Sequence, residues 1–413
     1  MAKRILLYSN TKTIETTSEN DTIKVFIDGH EYKFDEPDNT SNEKKEEHAQ
    51  NQKRNFYSTF LSNHFENLVV LSGAGTSVGW GGKTMKELWS AVEIKLTPAK
   101  FEIFAKAIGF IGPTADFSRL SDDHKDLEKL LSRANIAKEF IKEYNGEAID
   151  IPQIVSECES VIHIHCKLNL TIDAPHEQFL NKVTNRKLKD PRVKIFTLNY
   201  DTLFEQAAIK GNFTVIDGFS FSLPRTLSGR NFDHDIVYRE KSRIKEEESF
   251  VPKVFHLYKP HGSVNWELQE DTERIIISPA TTKPLMIFPK DSKYENSYEQ
   301  PFFEMMSRFQ QNLRNDNVLL ICVGFSFNDK HIVTAIKEAV SQNPSFRLMI
   351  VSRTIRETTE IKWFIDKAKH QYNVTLVAEE FTDFAKHYPA SKIYSTEQRV
   401  LISTENDSAA VRP

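Results

Sequence analysis

Cysteine is scarce in this sequence: Cys158, Cys166 and Cys322 are the only three in 413 residues, and no two form a CxxC pair. An odd, scattered set excludes the disulfide framework of a small secreted protein and fits a reducing compartment. Long apolar runs are missing too. The longest, Val318 to Phe325, is far too short to cross a bilayer. The start, MAKRILLYSNTKT, is basic but has only Ile5 to Tyr8 as an apolar stretch and lacks the small-residue cleavage site of a secretory signal, so a cytoplasmic location is expected. Nor is there an excess of positive charge. A formal net charge of -4 leaves no global basic field to grip nucleic acid regardless of sequence. What remains, 39% hydrophobic and 27% charged residues, is the balance of a soluble globular chain with one large or two ordinary domains.

Residues 1–54 read as an N-terminal extension. In Ile23 to Phe34, Asp28-Gly29 separates two alternating runs, the signal of a β-hairpin. From Glu36 to Arg54 the chain is almost free of apolar residues and reads as a polar linker or an exposed helix. Residues 55–395 read as one main domain and 396–413 as a polar, frayed tail. Within the domain, Leu68 to Leu71 opens a strand, a glycine turn and a helix over Thr84 to Leu96. Spacings of three and four at Leu127, Leu130, Leu131 and Ala134, and at Ile151, Ile154, Val155 and Cys158, predict a helical module inserted at about 84–190. Strand-like runs return at 193–198, 213–216, 254–258, 275–278, 318–324, 348–352 and 374–378. Many are continuously apolar, as strands covered on both faces must be, and helical patterns at 331–340 and 355–370 separate the later ones. The expected fold is α/β: a Rossmann-like, doubly wound parallel sheet with an inserted helical module and a short N-terminal hairpin.

Three segments at strand ends carry chemistry. GAGTSVG, Gly73 to Gly79, has the glycines that let backbone approach a pyrophosphate ahead of a helix N-terminus. Its third glycine is out of register for a dehydrogenase fingerprint, and helix rather than strand follows, which disfavours hydride transfer. A packing turn is the plain alternative. TLNYD places Asn199 and Asp201 after a strand, where an amide and a carboxylate can hold ribose hydroxyls, a water or a developing positive charge. Asp201 or Thr202 capping the helix from Leu203 is equally compatible. KPHGSVNW places His261 in a turn after another strand, where an imidazole can act as a base near neutral pH, or simply bond to backbone. His256, inside the strand, reads as a core or face residue.

These segments, with VGFSFND at Val323 to Asp329, resemble the sirtuin superfamily and, more closely, its divergent branch in bacterial anti-phage defence, over roughly Asn67 to Ser352. The resemblance implies that Gly73, Ala74, Gly75, Thr76 and Ser77 bind NAD, that Asn199, Asp201 and His261 form the catalytic set, and that Gly324 and Ser326 meet the adenosine side. Two departures matter. The paired CxxC motifs that hold a structural zinc in protein-deacylating sirtuins are absent, and the HIHC run at His163 to Cys166 has the wrong spacing to replace them, so no metal is expected. GWGGKTMKELW stands where the family has GIPDFR, in the loop that shapes the nicotinamide and acyl-lysine tunnel.

Without that tunnel, water is the expected acceptor once the nicotinamide–ribose bond breaks, giving nicotinamide and ADP-ribose. The resemblance further implies a cytoplasmic enzyme that depletes NAD during infection, works as a homo-oligomer, and pairs with a HerA-type hexameric ATPase, with residues 1–54 as candidate docking element. A protein deacylase and a non-catalytic NAD or ADP-ribose sensor are the alternatives. Direct nucleic-acid binding through Lys53, Arg54, Lys241, Arg243 and Lys245 is left open, since charge runs are usually solvated faces.

Overall fold

A computed structural model describes residues 2–19, 22–35, 40–121, 124–238, 250–286 and 301–390. The basic cluster Lys241, Arg243 and Lys245 and the tail 396–413 lie outside the described residues. The chain opens with β1 (Ala2–Tyr8), β2 (Thr13–Glu19), β3 (Thr22–Ile27), β4 (His30–Glu31) and α1 (Asn42–Leu61). It continues through β5 (Asn67–Ser72) into the helical module: α2 (Met85–Leu96), α3 (Pro98–Ala107), α4 (Leu127–Ala137), a small hairpin of β6 (Glu143–Tyr144) and β7 (Glu147–Ala148), α5 (Ile151–Cys166) and α6 (His176–Thr184). Then come β8 (Lys194–Thr197), α7 (Leu203–Lys210), β9 (Thr214–Ile216), β10 (Val254–Tyr258), β11 (Trp266–Gln269) and β12 (Arg274–Ile277). The last part holds α8 (Phe302–Leu313), β13 (Val318–Val323), α9 (Lys330–Gln342), β14 (Phe346–Ser352), α10 (Thr359–His370), β15 (Val374–Ala378) and α11 (Phe381–His387).

Among the described residues, 11 strands form one sheet in the order β4-β3-β2-β1-β15-β14-β13-β5-β8-β10-β9. From β15 to β9 every neighbouring pair is parallel. Apolar residues on successive positions of β13 face opposite ways: Val318, Leu320 and Cys322 enter one core cluster with α8, α9 and α10, while Leu319, Ile321 and Val323 enter the other with α1, α6, α7 and α11. That alternation is why the strand reads as an unbroken apolar run: both faces are covered. The expected Rossmann-like α/β fold is present. The run at 275–278 lies apart, because β12 pairs with β11 in a separate two-stranded ribbon, with one isolated bridge from Ile276 to Thr226.

The N-terminal part is larger than one hairpin. Asp28 and Gly29 form the two-residue turn between β3 and β4, both with the positive φ that such turns require, 54° and 81°. Two further strands, β1 and β2, precede it, and β1 adds antiparallel to β15, so the extension continues the main sheet. The polar stretch after it is helix from Asn42, capped by the Ser41 hydroxyl, which accepts from Lys44 N. This helix is not an exposed one, since Ala49, Lys53, Tyr57 and Leu61 are buried. Lys53, expected as a surface charge, is 1% exposed and pairs with Glu379 at 3.1 Å, while Arg54 reaches Glu379 and Asp383. Neither is part of a free basic patch.

Candidate functional site

Parallel strands β13, β5, β8 and β10 lie side by side and end at the same edge, so the loops after them converge. The chain runs from β5 outward to β8 on one side and returns to β13 on the other. The gap between β5 and β13 is therefore the topological switch point, where open α/β sheets hold ligands. All three sequence segments and the VGFSFND loop lie at these strand ends.

The loop after β5 turns tightly through Ala74–Thr76. Thr76 Oγ1 donates to Gly73 O at 2.9 Å and sits 2.8 Å from Ser72 Oγ, while Ala74 and Gly75 stay exposed. Asn199, following β8, reaches across to this loop: its Nδ2 lies 3.0 Å from Gly73 O, 3.1 Å from Thr76 Oγ1 and 2.9 Å from Ser77 Oγ. Ser77 Oγ then donates to Asp201 Oδ2 at 2.7 Å, and Asp201 Oδ1 accepts Leu203 N at 3.0 Å. Asp201 thus both caps α7 and anchors the glycine loop, whereas Thr202 makes no side-chain cap.

Gly324, after β13, is the floor of the loop. Its φ is +64°, and a Cβ there would lie 2.7 Å from the backbone of Gly75 and Thr76. Gly75 N donates to Gly324 O at 2.9 Å, and Gly73 N to Val323 O at 3.1 Å. Close backbone packing is thus one reason for these glycines. Ser326 is exposed on the same loop.

The third segment is fixed by a buried cation. Lys259 is 2% exposed; its Nζ donates to Glu205 Oε1 at 2.9 Å, to Ser263 Oγ at 2.8 Å, and to the backbone carbonyls of Asp201 and Tyr200. It locks the loop after β10 to the loop after β8. Burial raises the Glu205 carboxyl above its ordinary range, and the Lys259 ammonium opposes the shift. Gly262 turns with φ +83° beneath Leu285 O, where a Cβ would come within 2.1 Å. His261 is thereby held 3% exposed, with Nε2 3.3 Å from Asp329 Oδ2 and its ring centroid 6.4 Å from that of Tyr200.

Asp329 is at the same time the N-cap of α9, accepting from His331 N at 2.9 Å and Ile332 N at 3.2 Å. Burial works to raise its carboxyl, but His261 and the two helix N–H groups outweigh it and hold it below the usual range. The helical module supplies a second carboxyl. Glu128, in the first turn of α4, hydrogen-bonds the Tyr200 side chain and lies close enough to His261 and Asp329 to feel both charges. Burial pushes Glu128 up, with the His261 charge opposing. Tyr200 is held well above the ordinary phenol range by burial and then by Glu128.

Asn199, Asp201, Thr76 and Ser77 therefore form one hydrogen-bonded set with Gly73, and Gly324 packs against it. His261 joins through Lys259 and Tyr200. The sequence assigns no site role to five residues with a part in this arrangement: Lys259, Glu205, Tyr200, Asp329 and Glu128. Lys259, Tyr200 and Asp329 stand inside the motifs KPHGSVNW, TLNYD and VGFSFND. Glu128 stands in none, and its position depends on the fold. Among the described residues, no group of three or more His, Cys, Asp or Glu side chains is arranged to hold a metal. No helix among them is long and apolar enough to cross a membrane.

An open, mostly parallel sheet with its ligand loops at the switch point defines a Rossmann-like α/β protein. Residues 193–375 match a family model described as a SIR2-like domain, which supports a Sir2-like affiliation. The match contains Asn199, Asp201, His261, Gly324 and Ser326 and begins after the glycine loop. Domains of this kind are typically NAD-dependent enzymes, so use of NAD is implied. No curated protein matches the chain.

Proposed function

We propose that this protein is an NAD+ hydrolase that cleaves the nicotinamide–ribose bond to give nicotinamide, ADP-ribose and a proton. The observation that carries this reading is the burial of His261 at a strand end beside Asp329, in the same loop cluster as the Asn199–Ser77–Asp201 set. The exposed Ala74–Gly75 backbone at the switch point suits a pyrophosphate approaching close to the main chain. Asn199 holds the glycine loop and presents an amide to the ribose or a water. Asp201 keeps Ser77 and the start of α7 in place, and its charge favours a sugar that becomes positive as the bond breaks. His261 accepts the proton of the attacking water.

The finer parts of the proposal rest on the family resemblance: NAD depletion in anti-phage defence in the cytoplasm, a homo-oligomer, and a HerA-type hexameric ATPase as partner. The first 54 residues are the proposed docking element, because β4 is short and closes the sheet with an exposed edge. The test is incubation of the purified chain with NAD, alone and with the ATPase and DNA, followed by assay of nicotinamide. Stoichiometric nicotinamide and ADP-ribose support hydrolysis. Acyl transfer from a peptide to ADP-ribose would instead identify a deacylase, and tight binding of NAD that stays intact in every mixture would identify a sensor.

A further inference from the structure

Asp329 divides its two carboxylate oxygens between different tasks. Oδ1 accepts from His331 N and Ile332 N and so caps α9, while Oδ2 lies 3.3 Å from His261 Nε2 on the loop after β10. A cap needs only one oxygen. The two side chains are 8% and 4% exposed, and Oδ2 has no hydrogen bond among the described residues apart from this approach. A carboxylate oxygen kept dry without a donor is costly, so its placement calls for the imidazole N–H. The separation is at the long end for a hydrogen bond, as such pairs often are before substrate closes the site. Both partners are held from behind. Phe327, two residues before Asp329, keeps a φ of +62°, which a bulky residue adopts only under constraint, and its buried ring packs 4.7 Å from Phe325 and 5.1 Å from Phe364. On the other loop, Gly262 N donates to Lys259 O at 3.0 Å and Ser263 N to Leu285 O at 3.1 Å, which closes the turn that carries His261.

Resting on the hydrolase reading above, we infer that Asp329 is a positioning residue of the reaction: it accepts the Nε2–H of His261 and thereby leaves Nδ1 as the atom that takes the proton of the attacking water. An ionised carboxylate can only accept, so the ring nitrogen facing it is the donor, and a neutral imidazole then carries its lone pair on the other nitrogen. In the balanced step, the water oxygen bonds to the ribose carbon as that carbon's bond to nicotinamide breaks. The bonding pair leaves with nicotinamide, whose ring becomes neutral, and the water proton goes to Nδ1. The imidazolium so formed stays beside the Asp329 carboxylate until Nδ1 gives its proton to solvent.

The test compares the full chain as wild type, D329N and D329S in nicotinamide release, melting and nitrogen-15 NMR of histidine-labelled protein. Asparagine and serine cap helices about as well as aspartate, so the α9 cap is common to all three and melting should be alike. They differ toward the imidazole. The amide of D329N can turn a donor to Nε2 and so favours the wrong tautomer, while the hydroxyl of D329S is too short to serve both the cap and the ring. The expected result is an unchanged KM for NAD, a fall in kcat of at least about 100-fold in D329N, and a smaller fall in D329S. At the assay pH, with the His261 signals identified by their loss in H261N, the spectra are expected to show the proton on Nε2 in wild type and on Nδ1 in D329N. The wild-type spectrum decides even where a variant fails to fold: a proton on Nδ1, or on both nitrogens, overturns the assignment whatever the turnover. D329N with wild-type kcat, or equal losses in D329N and D329S, overturns it too and leaves the hydrolase reading intact. Wild-type protein that carries the proton on Nε2 but releases no nicotinamide in any mixture overturns the hydrolase reading, and the role of Asp329 in that reaction falls with it.

Discussion

The Ser77 hydroxyl donates to the Asp201 carboxylate at 2.7 Å, tying the loop after β5 to the loop after β8 across the switch point. Asn199 spans the same gap with three acceptors within 3.1 Å. Removing the hydroxyl in S77A leaves a buried carboxylate oxygen short of a donor, at a cost of about 1–3 kcal/mol. Urea unfolding should show that loss. If the loop holds NAD, KM should rise more than kcat falls.

Gly324 cannot accept a side chain without moving the glycine loop. G324A combines strain at φ +64° with a 2.7 Å overlap on the Gly75 and Thr76 backbone, so about 1–3 kcal/mol of stability is lost to strain alone. Thermal melting measures the stability loss, and NAD affinity by calorimetry should fall in parallel.

Lys259 is buried and its partner Glu205 is partly so. K259M leaves the Glu205 carboxyl without its cation and should destabilise the protein by less than the about 3–5 kcal/mol of a fully buried pair, whereas the double variant K259M/E205L should recover much of the loss. Denaturant unfolding of both variants distinguishes a broken pair from a general packing defect.

Acid sensitivity has an identifiable source in His176. It is fully buried between Phe204 and Phe381, neither ring nitrogen has a hydrogen-bond partner among the described residues, and burial lowers its pKa to about 4. Because the folded pKa lies below the unfolded value near 6.5, the unfolded chain takes up the proton first. Stability should therefore fall as pH drops from about 6.5 to about 4, by up to about 1.4 kcal/mol per pH unit. His256, lowered by burial to about 3, adds a second such contribution that extends further into acid. H176F should flatten the first part of the slope in melting curves recorded from pH 7 to 4.

The parallel sheet was legible because its signal is local: β5, β8, β10 and β13 are short apolar runs that end directly in polar loops. Helix α10 begins at Thr359, later than the pattern from Ile355, because Thr358 takes the cap and accepts Ile361 N. What escaped notice depends on distant partners. β2, TIETTSE, is mostly polar, and only Ile14 and Thr16 are buried, so its alternation barely registers. Lys53 looks like a surface charge until Glu379 is brought beside it by the last strand. The same holds for Glu128, which nothing in the local pattern separates from any acidic residue in a helix's first turn.

The central claim is that His261 and Asn199 serve a reaction on NAD. Its most direct test is nicotinamide release by wild type, H261A and N199A under identical conditions, with circular dichroism confirming that each variant is folded. The account predicts stoichiometric nicotinamide and ADP-ribose from wild type and at least about a 100-fold loss in H261A, the lower end of what a positioned base contributes. Folded H261A that releases nicotinamide at the wild-type rate would contradict it.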